Sequence, residues 1–368
     1  MSLVTTTQSF VPAFGNRPSQ LVGRDQEIAW FLQGLAGPVG HPGRATLCLG
    51  QRGMGKTALL LEFAAQAAQH GFVTAKATAG ETMLAELIEG IQLGGTKHLP
   101  KAKRLTGASV GVLGFSAGLT FSPEAERTLT FRAKLSLLCQ ELGEHGIGVL
   151  LLVDEVAASS PPIRQLATTY QELVGEGRNV AVALAGLPAA VSSVLNDQVL
   201  TFLNRATKVH LGPLPIPAVT AYYAQALAGL GKAVKPAELE RAAAATMGYP
   251  YLLQLVGYYL LEFAGNQPTI GSDTVELAVT ASRQALAEAV FAPALAPLSK
   301  RDRAFLQAMA ADAAPSAISQ VAQRLGVSAD SAQQTRRRLI GHGVIAPAGL
   351  GEVEFTIPYL AEFLRGKL

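Results

Sequence analysis

Between Gly50 and Thr57 the chain reads Gly-Gln-Arg-Gly-Met-Gly-Lys-Thr. Each residue type has a chemical use at this spacing. Glycines let a backbone close round a small anion, so the N–H groups of Gly50, Gln51, Arg52, Gly53, Met54 and Gly55 could wrap phosphates. Lys56 would then reach the β- and γ-phosphates of a nucleotide, and the Thr57 hydroxyl would bind Mg²⁺. A second group lies about a hundred residues on, where Val149–Val153 runs into Asp154-Glu155. Two carboxylates there could divide the remaining labour. Asp154 would hold Mg²⁺ through water, and Glu155 would orient or activate an attacking water.

Such groups need particular elements beneath them. Thr46-Leu47-Cys48-Leu49 is apolar and reads as a buried strand ahead of the loop, while Leu60, Phe63, Ala64 and Ala67 have helix spacing behind it. Strand, glycine loop, helix is the context a phosphate loop requires, with the helix N-terminus adding partial positive charge. The uninterrupted apolar run before Asp154 predicts a strand buried on both faces of a parallel sheet, and open α/β sheets bind ligands at the C-terminal ends of their strands. Phe72–Lys76, Val180–Ala185 and Lys208–Leu211 read as further strands, alternating with helical segments. The predicted core is therefore a three-layer α/β domain of the P-loop NTPase type.

Composition sets limits. In 368 residues, 49% are hydrophobic and 15% charged, which excludes a disordered chain and implies several buried cores. Residues 1–298 carry 21 Lys+Arg against 21 Asp+Glu, and residues 299–368 carry 9 against 6, so the net charge of +3 sits in the last segment. An anionic partner would be met there. Cys48 and Cys139 lie in apolar segments and read as buried thiols, which suits a reducing cytoplasm. Met1–Gln20 is polar and does not resemble a signal peptide. Ala242–Leu261 is an uncharged run of 20 residues, but Gly248 and Pro250 interrupt it; two helices meeting at a turn are expected rather than a membrane span.

In order, the chain divides into a flexible arm (1–20), a nucleotide-type core (21–213) with a β-hairpin insertion near 109–121, an all-helical lid (214–296) and a terminal domain (297–368). Lys97–Arg104 is a basic connection. Ser122-Pro123 starts a helix expected to run towards Leu142. Ser299-Lys300-Arg301-Asp302 is a capping-box start. Helix, helix, Gly-containing turn, helix and hairpin then follow, the pattern of a winged helix-turn-helix. Its third helix would present Gln333, Gln334, Arg336, Arg337 and Arg338 to duplex DNA. Glu352 and Glu354 on the wing oppose that reading, because phosphates would repel them.

Taken together the motifs resemble the AAA+/STAND-type ATPases of the archaeal-ATPase and origin-recognition-like class, in particular those ending in a winged helix. The resemblance runs from Leu21 to about Arg365. It identifies Leu21-Val22-Gly23-Arg24 with a box beside the adenine, making Val22 and Gly23 nucleotide contacts. It identifies Gly50–Thr57 and Asp154-Glu155 with the Walker motifs. Gly248-Tyr249-Pro250 becomes a lid motif whose Pro250 touches base or ribose, and Arg205 falls near an arginine finger for a neighbouring subunit. ATP or ADP with Mg²⁺, and self-association through the ATPase face, are what the resemblance implies.

Three departures from that class bear on rate. No Asn, Ser or Thr ends the strand at Ala185, no arginine lies near Gly248–Pro250, and Val156-Ala157 follows Glu155. A slowly hydrolysing switch acting on DNA is the leading expectation. A nucleotide-loaded scaffold for a protein partner is the alternative, and a P-loop kinase ranks below both.

Overall fold

The computed structural model describes residues 10–12, 20–98, 115–157, 160–195, 197, 203–313 and 315–366. Residues 99–104 of the basic connection and 109–114 of the expected hairpin lie outside these. The chain forms two compact units. One comprises Arg24–Gly50 and Lys56–Leu211; the other comprises Met1–Gly23, Gln51–Gly55 and Gly212–Leu368.

The first unit is built on a parallel sheet. Its strands are β1 (Ala45–Gly50), β2 (Phe72–Thr78), β5 (Gly148–Val156), β6 (Val180–Gly186) and β7 (Thr207–Leu211), in the order β2-β5-β6-β1-β7; a short hairpin of β3 (Phe115–Ala117) and β4 (Thr120–Phe121) precedes β5. From β1 the chain crosses to the far edge, returns through β5 and β6, and then passes over β1 to β7. The sequence order therefore reverses beside β1, where sheets of this type bind ligands. Val149–Val153 is wholly buried, which explains why these strands are continuous apolar runs rather than alternating ones. Leu47, Leu151, Val153 and Leu184 belong to one core cluster with Leu87, Leu138 and Leu173 from the covering helices.

The start of β1 is fixed by a buried cation. The Arg44 guanidinium donates to the carbonyls of Leu35 (2.8 Å) and Gly37 (2.8 Å) and to Asn179 Oδ1 (2.6 Å). Burial lowers the pKa of Arg44. The helix start at Ser122 is as expected, its hydroxyl accepting from the Ala125 N–H at 3.2 Å. That helix, however, stops at Thr128, and a second one occupies Phe131–Gly143. Thr130 is the reason: its hydroxyl caps the second helix by accepting from the Ala133 N–H.

The second unit contains the lid helices Ile216–Gly229, Pro236–Ala245, Pro250–Ala264 and Ser272–Leu286, with β8 (Ala233–Val234) parallel to β9 (Thr269–Ile270). The uncharged run does break into two helices. Met247 and Gly248 both have positive φ. Gly248 is required there, since a Cβ would stand 2.4 Å from the Leu214 carbonyl oxygen. Among the described residues no helix is long and apolar enough to cross a membrane.

Part of the expected flexible arm is not free. Phe10 is buried, its ring edge-on to Tyr222 (5.6 Å) and Tyr223 (5.7 Å), and the Val11 N–H donates to Gln254 Oε1 at 3.0 Å. Gly257 makes room for it, because a Cβ there would lie 2.2 Å from the Phe10 ring. The arm's polar composition hid one aromatic anchor.

After a π-helical turn at Ala287–Phe291, the helices Lys300–Ala310, Ile318–Leu325 and Ala329–Gly341 pack with an antiparallel sheet. Its strands, β10 (Ser316–Ala317), β11 (Ile345–Gly349) and β12 (Glu352–Phe355), lie in the order β10-β12-β11. This is the winged helix-turn-helix arrangement, and the capping box at Ser299 and Asp302 is formed. Tyr359 ties it to the lid: its hydroxyl donates to the Ala245 carbonyl at 2.7 Å, and the Arg283 guanidinium lies 4.3 Å from its ring centre.

Candidate functional site

At the end of β1 the chain turns through Gly53 (φ 74°) and Gly55 (φ 82°) before the helix Lys56–Gln69 begins. Both values lie in the left-handed region that glycine enters without strain. Lys56 Nζ donates to the Gly50 carbonyl at 2.9 Å. Thr57 Oγ1 donates to Asp154 Oδ2 at 2.6 Å, although 97 residues separate the two. The other oxygen, Asp154 Oδ1, accepts from the Glu155 N–H at 2.8 Å. The fold thus brings together three of the residues singled out for chemistry: a hydroxyl, a buried carboxylate and the carboxylate that follows it.

The backbone of β5 is distorted at this point. The pairing of β5 with β6 shifts register between Val153 and Val156, and Glu155 has φ 56° and is exposed. A bulge re-aims a side chain next to a site, and a non-glycine residue in the left-handed region costs about 1–3 kcal/mol. Asp154 consequently stays in the sheet, 5% exposed, while Glu155 reaches solvent. A hydroxyl and a carboxylate oxygen are hard donors of the kind Mg²⁺ takes alongside water and phosphate. Among the described residues there is no cluster of three or more His, Cys, Asp or Glu that could hold a metal by itself.

β6 ends on Gly186 against this bulge, and a Cβ on Gly186 would stand 2.4 Å from the Val156 carbonyl oxygen. The strand thus runs one residue past the expected end at Ala185, and backbone packing leaves no room for a side chain at Gly186. Beneath the site, Cys48 in β1 is wholly buried, and burial pushes its thiol up to about 12, helped by the negative charge of Asp154. Arg205 is exposed, in the short turn that leads into β7.

In the second unit, Gln51–Gly55 meets the Gly248-Tyr249-Pro250 turn. Pro250 lies over Gly55, with Cγ 3.9 Å from where a Cβ would stand. Tyr249, the middle residue of that motif and given no role of its own from sequence, is buried, and its hydroxyl donates to the Arg52 carbonyl at 3.0 Å. Burial raises the Tyr249 pKa well above the ordinary tyrosine value, so the hydroxyl is held as a donor. One signal was available: a tyrosine in an apolar run needs a partner for its hydroxyl. The Arg52 guanidinium in turn donates through Nε to the His342 carbonyl at 3.3 Å, at the C-terminal end of the helix Ala329–Gly341. Val22 packs in the lid core, and Gly23 (φ 60°) sits against Pro215.

The five residues expected to face DNA are not equivalent. Gln334, Arg337 and Arg338 are exposed, while Gln333 and Arg336 are half-buried, with Arg336 Nη1 3.4 Å from Gln333 Oε1. Arg338, though exposed, is paired within the domain as well. Its Nη2 and Nε donate to Asp302 Oδ1 at 2.7 and 3.2 Å. Sequence spacing places Arg338 one step from Arg337 but cannot show that Asp302 waits for it 36 residues upstream.

A family described as a domain of unknown function (DUF8462) matches residues 288–364. No curated protein matches the chain. Among solved structures, the Walker-type ATPase PABY2304 of Pyrococcus abyssi superposes with a TM-score of 0.67 at 16% identity, over 95% of this chain and 97% of its own. The ORC2 protein of Aeropyrum pernix, solved as ADPNP–ADP complexes, gives 0.63 at 16% identity over 97% and 95%. Cdc6p from Pyrobaculum aerophilum gives 0.52 at 15% identity over 97% and 96%.

Proposed function

We propose that this chain, which has the P-loop ATPase fold of the origin-recognition-like proteins, is a slowly hydrolysing ATP switch whose nucleotide state is coupled to its C-terminal winged domain. The observation that carries the reading is the 2.6 Å contact between Thr57 and Asp154, which brings together the two residues proposed to hold Mg²⁺. Thr57 and Asp154 would hold Mg²⁺, which when bound supplies charge neutralisation at the β- and γ-phosphates. Lys56, now resting on the Gly50 carbonyl, would exchange that neutral acceptor for phosphate oxygens, a stronger charge-assisted bond. Glu155, turned to solvent at the bulge, would orient the attacking water and accept its proton. Gly186 supports a slow rate, because it adds no side chain to help hold that water.

Arg205 is exposed and is proposed as a finger acting on a neighbouring copy, so turnover per subunit should rise with protein concentration; a flat dependence across the assembly range removes that role. The direct test of the site is nucleotide binding by Lys56→Ala with ATP and Mg²⁺. A loss of more than about tenfold in affinity is expected for a charged hydrogen-bond partner, and unchanged affinity refutes the site.

A second reading has its own support. With Arg338 bound to Asp302, and Glu352 and Glu354 on the wing, the winged domain also suits a protein partner. Duplex DNA binding against salt separates the two. Phosphate contacts require a steep log–log slope, about 0.9 per contact, and absence of binding at low salt favours the scaffold.

A further inference from the structure

We propose that Tyr249 is a positioning residue for the phosphate loop, acting through the Arg52–Gly53 peptide. The proposal rests on the nucleotide reading above and gives the lid tyrosine a role at the loop rather than at the base. Its basis is the direction of one peptide plane. In a trans peptide the carbonyl and the following N–H point to opposite sides. With the Arg52 carbonyl turned to Tyr249 at 3.0 Å, the Gly53 N–H faces away from the tyrosine.

Nothing in the loop's own sequence enforces that choice. Gly53 accepts either sign of φ, so the peptide could flip and present a carbonyl to the phosphates instead. Two contacts prevent it. The Tyr249 ring and hydroxyl lie so close to Gly53 that a Cβ would stand 1.9 Å from the hydroxyl oxygen. The Arg52 side chain is held as well, by the His342 carbonyl at 3.3 Å. Arg52 is thus anchored through both its carbonyl and its guanidinium, and Tyr249 supplies the anchor that orients the peptide.

Tyr249→Phe removes one oxygen and keeps the ring. ADP, inorganic tripolyphosphate and adenosine, each with Mg²⁺, are measured as competitors of a fluorescent ADP on wild type and variant, with thermal melting as a check on folding. The expected result is a three- to tenfold loss, about the value of one hydrogen bond, shared by ADP and tripolyphosphate, with adenosine unchanged. A general loss of fold would move the melting curve without this selectivity. Unchanged ADP affinity overturns the proposal. So does a loss for ADP and adenosine that spares tripolyphosphate, which would place Tyr249 at the base. Wild type that binds no ADP overturns the nucleotide reading and this proposal together, whereas wild type that binds and a variant equal to it overturn this proposal alone.

Discussion

Replacing Arg338 and Arg337 in turn separates the arginine paired with Asp302 from its neighbour on the same helix. Arg338 makes two hydrogen bonds to Asp302 Oδ1, and the Asp302 side chain is only 6% exposed while that of Arg338 is 44% exposed. A hydrogen bond to a charged group contributes about 1.5–3 kcal/mol. Solvent screening on the open side of Arg338 reduces this, leaving about 1–2 kcal/mol. Arg338→Ala should therefore accelerate amide exchange in the helix Lys300–Ala310 about five- to thirtyfold, and Arg337→Ala should leave it unchanged. The effect has a pH signature. Burial works against the Asp302 carboxylate, but hydrogen bonds from Ser299 and Arg338 outweigh it and hold its pKa below the ordinary 3.8. A depressed carboxylate contributes stability that is full above the unfolded value and is lost as pH falls through the folded one. The gap between wild type and Arg338→Ala should accordingly be complete at neutral pH and close below about pH 4. In DNA binding, Arg337→Ala should lower the salt slope by about one and Arg338→Ala should not. Unchanged exchange in Arg338→Ala, combined with a lowered salt slope, would refute this reasoning and return Arg338 to the DNA face.

Three further outcomes follow from the site. Glu155→Gly should abolish ATP turnover yet leave the chain as stable or up to about 1 kcal/mol more stable, since glycine relieves the left-handed strain but has more unfolded freedom; urea denaturation and phosphate release measure the two effects. Gly186→Asn would supply the missing polar strand end, but its Cβ meets the Val156 carbonyl oxygen at 2.4 Å. It should lose about 1–3 kcal/mol by overpacking without faster hydrolysis, and a stable, faster variant would contradict the geometry. Cys48 and Cys139, each pushed up to about 12 by burial, should resist thiol reagents at pH 8 in the folded chain and react on denaturation.

The local elements of the fold were legible because each carries its own periodicity. Continuous apolar runs gave the strands, the Gly50–Thr57 spacing gave the phosphate loop, and Ser299 with Asp302 gave a helix start. Backbone and side-chain hydrogen bonds within a few residues decide these features, so a linear reading reaches them. The break at Leu129–Thr130 escaped because a threonine cap is weaker than the surrounding helical pattern. Phe10 escaped because its partners, Tyr222 and Tyr223, are over two hundred residues away.

The sequence by itself determined which groups could do chemistry: Lys56, Thr57, Asp154 and Glu155, with a basic terminal helix. Tertiary structure alone decided their use. It set Thr57 against Asp154, distorted β5 so that Glu155 faces solvent, closed the end of β6 with Gly186 and its neighbour's carbonyl, paired Arg338 with Asp302, and turned Tyr249 onto the Arg52 carbonyl. Each of these depends on the direction of one bond relative to a distant segment. Residue type and spacing carry no information about that direction until the chain is packed.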